Sequence, residues 1–217
     1  MDGPESWTGG TLFPKSSKKV ARAINSASGI RPVVVLANLS GFDGSPESMR
    51  RLQLQLGAEI GRAVVNFDGT IVFLVIGRYH GGAYVVFSKD LNPNLRALAV
   101  EGAFASVIGG APAAAVVFPR NVKRLVEQDK EYKALLKRLS KASAVEKPRI
   151  RDDVERLWNN LILEKRGEVA TQFDAIHSVQ RAVEVNSLDR IIRPEEIRSA
   201  IIDELDQSAQ DSSTSET

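Results

Sequence analysis

Residues 70–86 read TIVFLVIGRYHGGAYVV, and this stretch decides the fold. Seven apolar or β-branched residues (70–76) form an uninterrupted run of strand length, the pattern of a strand covered on both faces. The run feeds a glycine pair, Gly81 and Gly82, followed by small and apolar residues. Glycine reaches backbone angles closed to other residues and brings no side chain, so adjacent amides here can face a ligand oxygen on which negative charge develops. A glycine pair after a strand is equally the pattern of a plain turn, so the neighbouring chain has to decide.

Upstream, 32–37 (PVVVLA) is a second apolar run and reads as another strand covered on both faces. It ends in Asn38-Leu39-Ser40-Gly41-Phe42-Asp43-Gly44, again a glycine-bearing loop, and a long helix follows over 46–66. Leu52, Leu56, Ile60 and Ala63 recur at spacings of three and four and mark the buried face of that helix. Before the first strand, Pro14 with Ser16 or Ser17 opens a helix to about Ala27. Strand, glycine loop, helix, strand, glycine loop is a repeated unit of an α/β layered domain, and ligands bind such folds at the strand ends.

Short apolar pieces at 98–100 and 103–108 lead to Gly109-Gly110-Ala111-Pro112 and an alanine-rich helical segment through Phe118. From 121 the character changes. KRLVEQDKEYKALLKRLSKAS (123–143) is an amphipathic helix of mixed charge, with further helices at 152–165, 168–186 and 194–205. The organisation expected is a flexible lead at 1–13, an α/β core at 14–120, a C-terminal helical appendage at 121–206 and a disordered polar tail at 207–217.

Composition sets the function classes. The 217 residues carry 29 Lys and Arg against 27 Asp and Glu, with no basic strip interleaved with aromatics, so no nucleic-acid partner is expected. There is no cysteine and only His80 and His177, which argues against a disulfide framework and a metal site. No run approaches the length of a membrane span and no secretory pattern opens the chain, so no membrane partner is expected and a soluble cytoplasmic protein is.

Several motifs in order resemble the C-terminal half of the carboxyltransferase of biotin-dependent acetyl-CoA and other acyl-CoA carboxylases, members of the crotonase-like superfamily. They are GGTLFPKSSKKVARAIN (9–25), VVVLANLSGFDGSPESM (33–49), HGGAYVVFSKDLN (80–92), EGAFASVIGGAPAAAVVF (101–118) and VATQFDAIHSVQRAVEVNSLDRIIRPEEIRSAIIDEL (169–205). The likeness spans residues 9–206. It implies a crotonase-like ββα superhelix and transfer of a carboxyl group from carboxybiotin to the α-carbon of an acyl-CoA. In that family the Gly-Gly-small segment holds the biotin-side oxyanion with backbone amides. The matching positions are Gly82 and Ala83.

The same resemblance places Gly81, Tyr84 and Val85 beside the substrate, with Asn38, Gly41 and Phe42 as one wall of the biotin pocket. Phe42 reads equally as a core anchor and Gly41 as a turn glycine. Gly109, Gly110 and Ala111 form another wall or serve tight helix packing. His80 stands where some members carry Arg, and it either contacts a carboxylate or is a loop histidine meeting solvent; His177 reads as structural. Tyr84-Val85-Val86 favours a short acyl chain.

A complete carboxyltransferase has two crotonase-like halves, and this chain resembles the second. The expectation is a fragment or subunit, of little activity alone, that works with an N-terminal carboxyltransferase half, a biotin carboxyl carrier and biotin carboxylase in a homo-oligomer (a dimer). Two other readings stand beside it. One is a crotonase-like CoA-thioester hydratase or hydrolase using Glu101, which is otherwise a solvated strand-end charge; the other is a non-catalytic assembly module.

Overall fold

The computed structural model describes residues 9–214. In chain order its elements are β1 (Thr11–Leu12), α1 (Pro14–Ala27), β2 (Val33–Leu39), β3 (Gly41–Phe42), α2 (Pro46–Arg50), α3 (Gln53–Val65), β4 (Ile71–His80), α4 (Gly82–Val86), β5 (Leu95–Val100) and β6 (Phe104–Ser106). There follow α5 (Gly110–Pro112), a π-helical turn (Ala113–Val117), α6 (Pro119–Gln128), α7 (Lys130–Lys141), α8 (Lys147–Ile176), α9 (Val179–Glu184), β7 (Arg190–Ile192) and α10 (Ile197–Thr214). The chain forms two compact units.

The first unit comprises residues up to 107 and from 177 onward. Its five-stranded sheet is parallel throughout, in the order β2-β4-β5-β7 with β6 also on β4. β4 is the long strand: Ile71 to Val75 pair with β2 and β5, while Arg78, Tyr79 and His80 pair with β6. One strand thus pairs with β2, β5 and β6 and delivers the glycine pair at its C-terminal end. A separate parallel pair, β1 with β3, sets Thr11 opposite Gly41 and Leu12 opposite Phe42.

Ile71 through Val75 are fully buried, as a run covered on both faces requires. One sheet face packs Phe73 and Val75 against α1 and α3; the other packs Val72, Leu74, Leu98, Val100 and Ile192 against Ala200 of α10. β2 differs from expectation. It is an edge strand whose Val34 and Leu36 remain 41% and 55% exposed, because α10 covers the inner strands and an apolar run does not record where its cover ends.

The helix expected over 46–66 is two helices. Leu52 adopts left-handed angles (φ 64°, ψ 38°) between α2 and α3, and its side chain is 55% exposed rather than part of the buried face. Ile60 and Ala63 keep their expected places inside, joined by Gln53, Gly57 and Val64. A left-handed non-glycine residue costs about 1–2 kcal/mol. Leu52→Gly is therefore expected to raise stability by up to about 1 kcal/mol, read as a higher urea midpoint; a lower midpoint would show that the leucine makes contacts worth more than its strain.

The second unit, Ile108–Ile176, is helical. Ala114, Val122 and Val169 form its core, flanked by Leu125, Ile162 and Ala170. The expected borders move accordingly. The helical unit begins at 108 and ends at 176, and the closing segment returns to the sheet, where β7 pairs with β5. Of the lead expected at 1–13, residues 11 and 12 are β1, and residues 1–8 lie outside the described part. The tail expected to be disordered from 207 continues α10 as far as Thr214.

Candidate functional site

The C-terminal end of β4 brings the two glycine loops together. Gly81 has φ 63° and ψ −139°, a conformation that side chains exclude. Its N–H donates to Val107 O (2.9 Å), and its carbonyl accepts from Tyr84 N (3.0 Å). Gly41, itself at φ 117°, lies directly against it: a β-carbon on Gly81 would fall 3.1 Å from the Gly41 Cα, and one on Gly41 would fall 3.4 Å from the Gly81 Cα. Backbone touches backbone here with no side chain between.

Gly82 and Ala83 are the first two residues of α4, so their N–H groups have no partner within the helix, and none elsewhere among the described residues. The two differ in access. Gly82 is half-buried and Ala83 is fully buried, so of the two residues solvent reaches Gly82. The Phe42 ring lies on Gly82 so closely that a β-carbon there would sit 2.3 Å from Cδ2. Phe42 is half-buried and packs against the hydrophobic core. Asn38 is exposed at the irregularity in β2, and its side chain covers Gly77.

The residues after Gly82 face different ways. Tyr84 turns inward, donating to Ser187 Oγ (2.7 Å) and tilting at 4.8 Å against Tyr79, whose hydroxyl donates to Tyr84 O (3.1 Å). Burial, with Tyr84 and Asp90 nearby, pushes the Tyr79 hydroxyl well above its usual range, so it stays a neutral donor. Val85 points outward, 60% exposed. His80 is buried, with Nδ1 3.3 Å from Ser106 O and 3.2 Å from Ser106 Oγ. It ties β4 to β6 rather than meeting solvent.

The closing segment supplies what sequence reasoning missed. Lys89 Nζ donates to Asn186 Oδ1 (2.9 Å) and pairs with Asp189, whose other carboxylate oxygen accepts from Ala97 N (2.7 Å). Ser187, Asn186 and Asp189 therefore fasten the segment that follows the glycine pair to the sheet. Their spacing from Tyr84 and Lys89 gave no local signal, since these contacts join residues about a hundred positions apart. Asp43, just after Phe42, has its carboxyl held below the ordinary range by the hydroxyls of Ser45 and Ser48.

Gly109, Gly110 and Ala111 belong to the helical unit. There Gly110 is a packing glycine: a β-carbon would fall 2.3 Å from Ala170 O, and its amide is spent on Asp174 Oδ1 (2.7 Å). Gly109 is half-buried and Ala111 exposed. His177 follows α8 and precedes Ser178, whose bridge to Phe104 interrupts the helix expected over 168–186. Glu101 is exposed beyond β5, where its charge meets Arg193. Among the described residues no group of three or more His, Cys, Asp or Glu could hold a metal ion.

Comparison with known proteins agrees with this architecture. The chain is 26% identical to an acetyl-CoA carboxylase of Saccharomyces cerevisiae over 179 residues, 78% of this chain and 8% of that protein. It is 33% identical over 89 residues, 39% of this chain and 4% of the relative, to a mitochondrial acetyl-CoA carboxylase of S. cerevisiae strain YJM789. It thus spans a small part of the curated relatives it matches. Among solved structures, transcarboxylase 12S with methylmalonyl-coenzyme A and methylmalonic acid bound superposes with a TM-score of 0.64 at 19% identity, over 92% of this chain and 32% of the other. The β subunit of P. aeruginosa geranyl-CoA carboxylase gives 0.65 at 21%, over 92% and 33%. These two share its fold. The model of the carboxyl transferase domain matches residues 4–216, almost end to end, and the chain belongs to the carboxyl transferase domain family.

Proposed function

We propose that this chain is the carboxybiotin-facing half of an acyl-CoA carboxyltransferase. The observation that carries the reading is the half-buried Gly82, at the C-terminal end of β4, whose amide has no internal partner and which the side-chain-free contact of Gly41 with Gly81 borders. An N–H without an internal partner, on a half-buried residue flanked by bare backbone, fits a flat ureido carbonyl, which needs a donor and close approach. Bound there, carboxybiotin supplies the carboxyl group on N1 and, after its loss, a basic ureido nitrogen.

The chain's own contribution is positional. Gly82 N–H would donate to the ureido oxygen, and the Phe42 ring packed on Gly82 limits how far that backbone can move. Val85, the outward residue of the Tyr84-Val85-Val86 trio, meets the acyl chain; acetyl-CoA is the acceptor we favour, in keeping with the yeast relatives. An N-terminal carboxyltransferase half supplies the CoA contacts and the thioester-side donors, and a biotin carboxyl carrier with biotin carboxylase delivers the group. The working form is a cytoplasmic homo-oligomer.

A proline at 82 would remove the N–H but drive its ring into Phe42, so a backbone swap is the cleaner test. Replacing Gly82 by glycolic acid exchanges the N–H for an ester oxygen without adding an atom. In the assembly reconstituted with an N-terminal half, kcat is expected to fall roughly 10²–10³-fold with assembly intact. Unchanged turnover would remove Gly82 from the reaction and favour a purely structural role.

A further inference from the structure

We infer that Gly57, on α3 and outside the glycine loops, is a positioning residue for the Gly82 amide, acting through the ring of Phe42; the inference rests on the role proposed for Gly82. A β-carbon built on Gly57 would fall 2.4 Å from Phe42 Cε2, 2.7 Å from Cζ and 3.0 Å from Cδ2. One built on Gly82 would fall 2.3 Å from Cδ2, 2.5 Å from Cε2 and 3.0 Å from Cγ. The same ring edge therefore rests on both backbones, with Gly57 buried and Phe42 half-buried.

Contacts this short leave no slack, since real β-carbons essentially never come under 3.0 Å. The backbone of Phe42 is held in β3 by its pairing with Leu12, and the preceding Gly41 is pressed against Gly81, so it is the ring that must move. A side chain at 57 must push the ring, and the ring bears on Gly82. Close-packed interiors transmit such displacements rather than absorbing them. A shift of about 1 Å in a catalytic donor can cost on the order of 10²-fold in rate.

Removing the outer ring carbons should cancel the effect. Leucine at 42 lacks the positions of Cε2 and Cζ, which carry the two shortest contacts with a residue at 57. Three variants of the full chain test this: Gly57→Ala, Phe42→Leu and the double variant, each ¹⁵N-labelled, with the Gly82 amide resonance followed. The expected result is a displaced Gly82 resonance in Gly57→Ala that moves back toward its Phe42→Leu position in the double variant. In the reconstituted carboxyltransferase, kcat falls about 10- to 100-fold in Gly57→Ala with KM for the acyl-CoA unchanged, and is partly regained in the double variant.

An unmoved Gly82 resonance in Gly57→Ala overturns the inference whatever happens to turnover. A displaced and restored resonance with unchanged turnover leaves the positioning intact and overturns the role proposed for Gly82 instead. Should Gly57→Ala not fold, recovery of folding by Phe42→Leu supports the shared ring, and failure to recover overturns it.

Discussion

Gly81→Ala is expected to lower stability by about 2–4 kcal/mol and to disorganise the loop that carries Gly82. Two independent costs add. The angles φ 63° and ψ −139° belong to a region that only glycine occupies readily, so an alanine there carries about 1–3 kcal/mol of strain or abandons the conformation. Its β-carbon would also stand 3.1 Å from the Gly41 Cα, and the neighbour that must give way is backbone already fixed by the pairing of β1 with β3. Should the loop abandon its shape, the bond from Gly81 N–H to Val107 O is lost as well. Urea unfolding followed by circular dichroism reads the loss, and a midpoint within error of the parent would show that the loop relaxes at little cost. Ala83→Gly, adjacent in sequence but in ordinary helical backbone, serves as the control for a change of one methyl group.

This prediction also shows where the sequence was legible. Residues 71–76 are apolar without a break, the pattern of a strand covered on both faces, and Ile71 through Val75 are buried in that way while Ile76 is 44% exposed. The glycine pair and the Gly41 loop could be picked out singly, because glycine near a strand end has few local explanations. That they press against each other could not. The contact depends on β4 continuing through Arg78, Tyr79 and His80, where it pairs with β6, a non-local event.

Misreadings share that origin. β2 is as apolar as β4, yet half of it is exposed, since local composition does not say which neighbour covers a strand. The helix over 46–66 breaks at Leu52, a residue with no propensity for left-handed angles, so tertiary packing overrides local preference there. His80 reads as a loop residue because glycines follow it; the strand in fact continues through it, and Ser106 takes its ring. The return of 190–192 to pair with β5 spans the whole helical unit and leaves no local trace.

Phe73→Ala should be the most destabilising single substitution within the sheet, at about 3–5 kcal/mol. Phe73 is fully buried at the centre of β4, in register with Val35 on one side and Ala97 on the other. Its ring stacks on Phe87 at 4.9 Å and tilts against Tyr79 at 4.7 Å, and Tyr79 in turn meets Tyr84. Deletion therefore opens a cavity bounded by two aromatic rings and both neighbouring strands, which cannot collapse without breaking sheet register. Phe73→Leu keeps most of the volume and should cost less than half as much, about 1–2 kcal/mol, because it forfeits the ring contacts but leaves little void. The pair of variants separates volume from aromatic geometry: equal losses would mean that ring stacking dominates and the void closes. Because the chain of rings ends at Tyr84, two residues after Gly82, the near-ultraviolet dichroism of the tyrosines should weaken in Phe73→Ala before global unfolding. Damage at the centre of β4 would then reach the glycine loop through the aromatic ladder, whereas truncating the outward Val85 to alanine should leave both stability and the tyrosine signal within about 0.5 kcal/mol and experimental error of the parent.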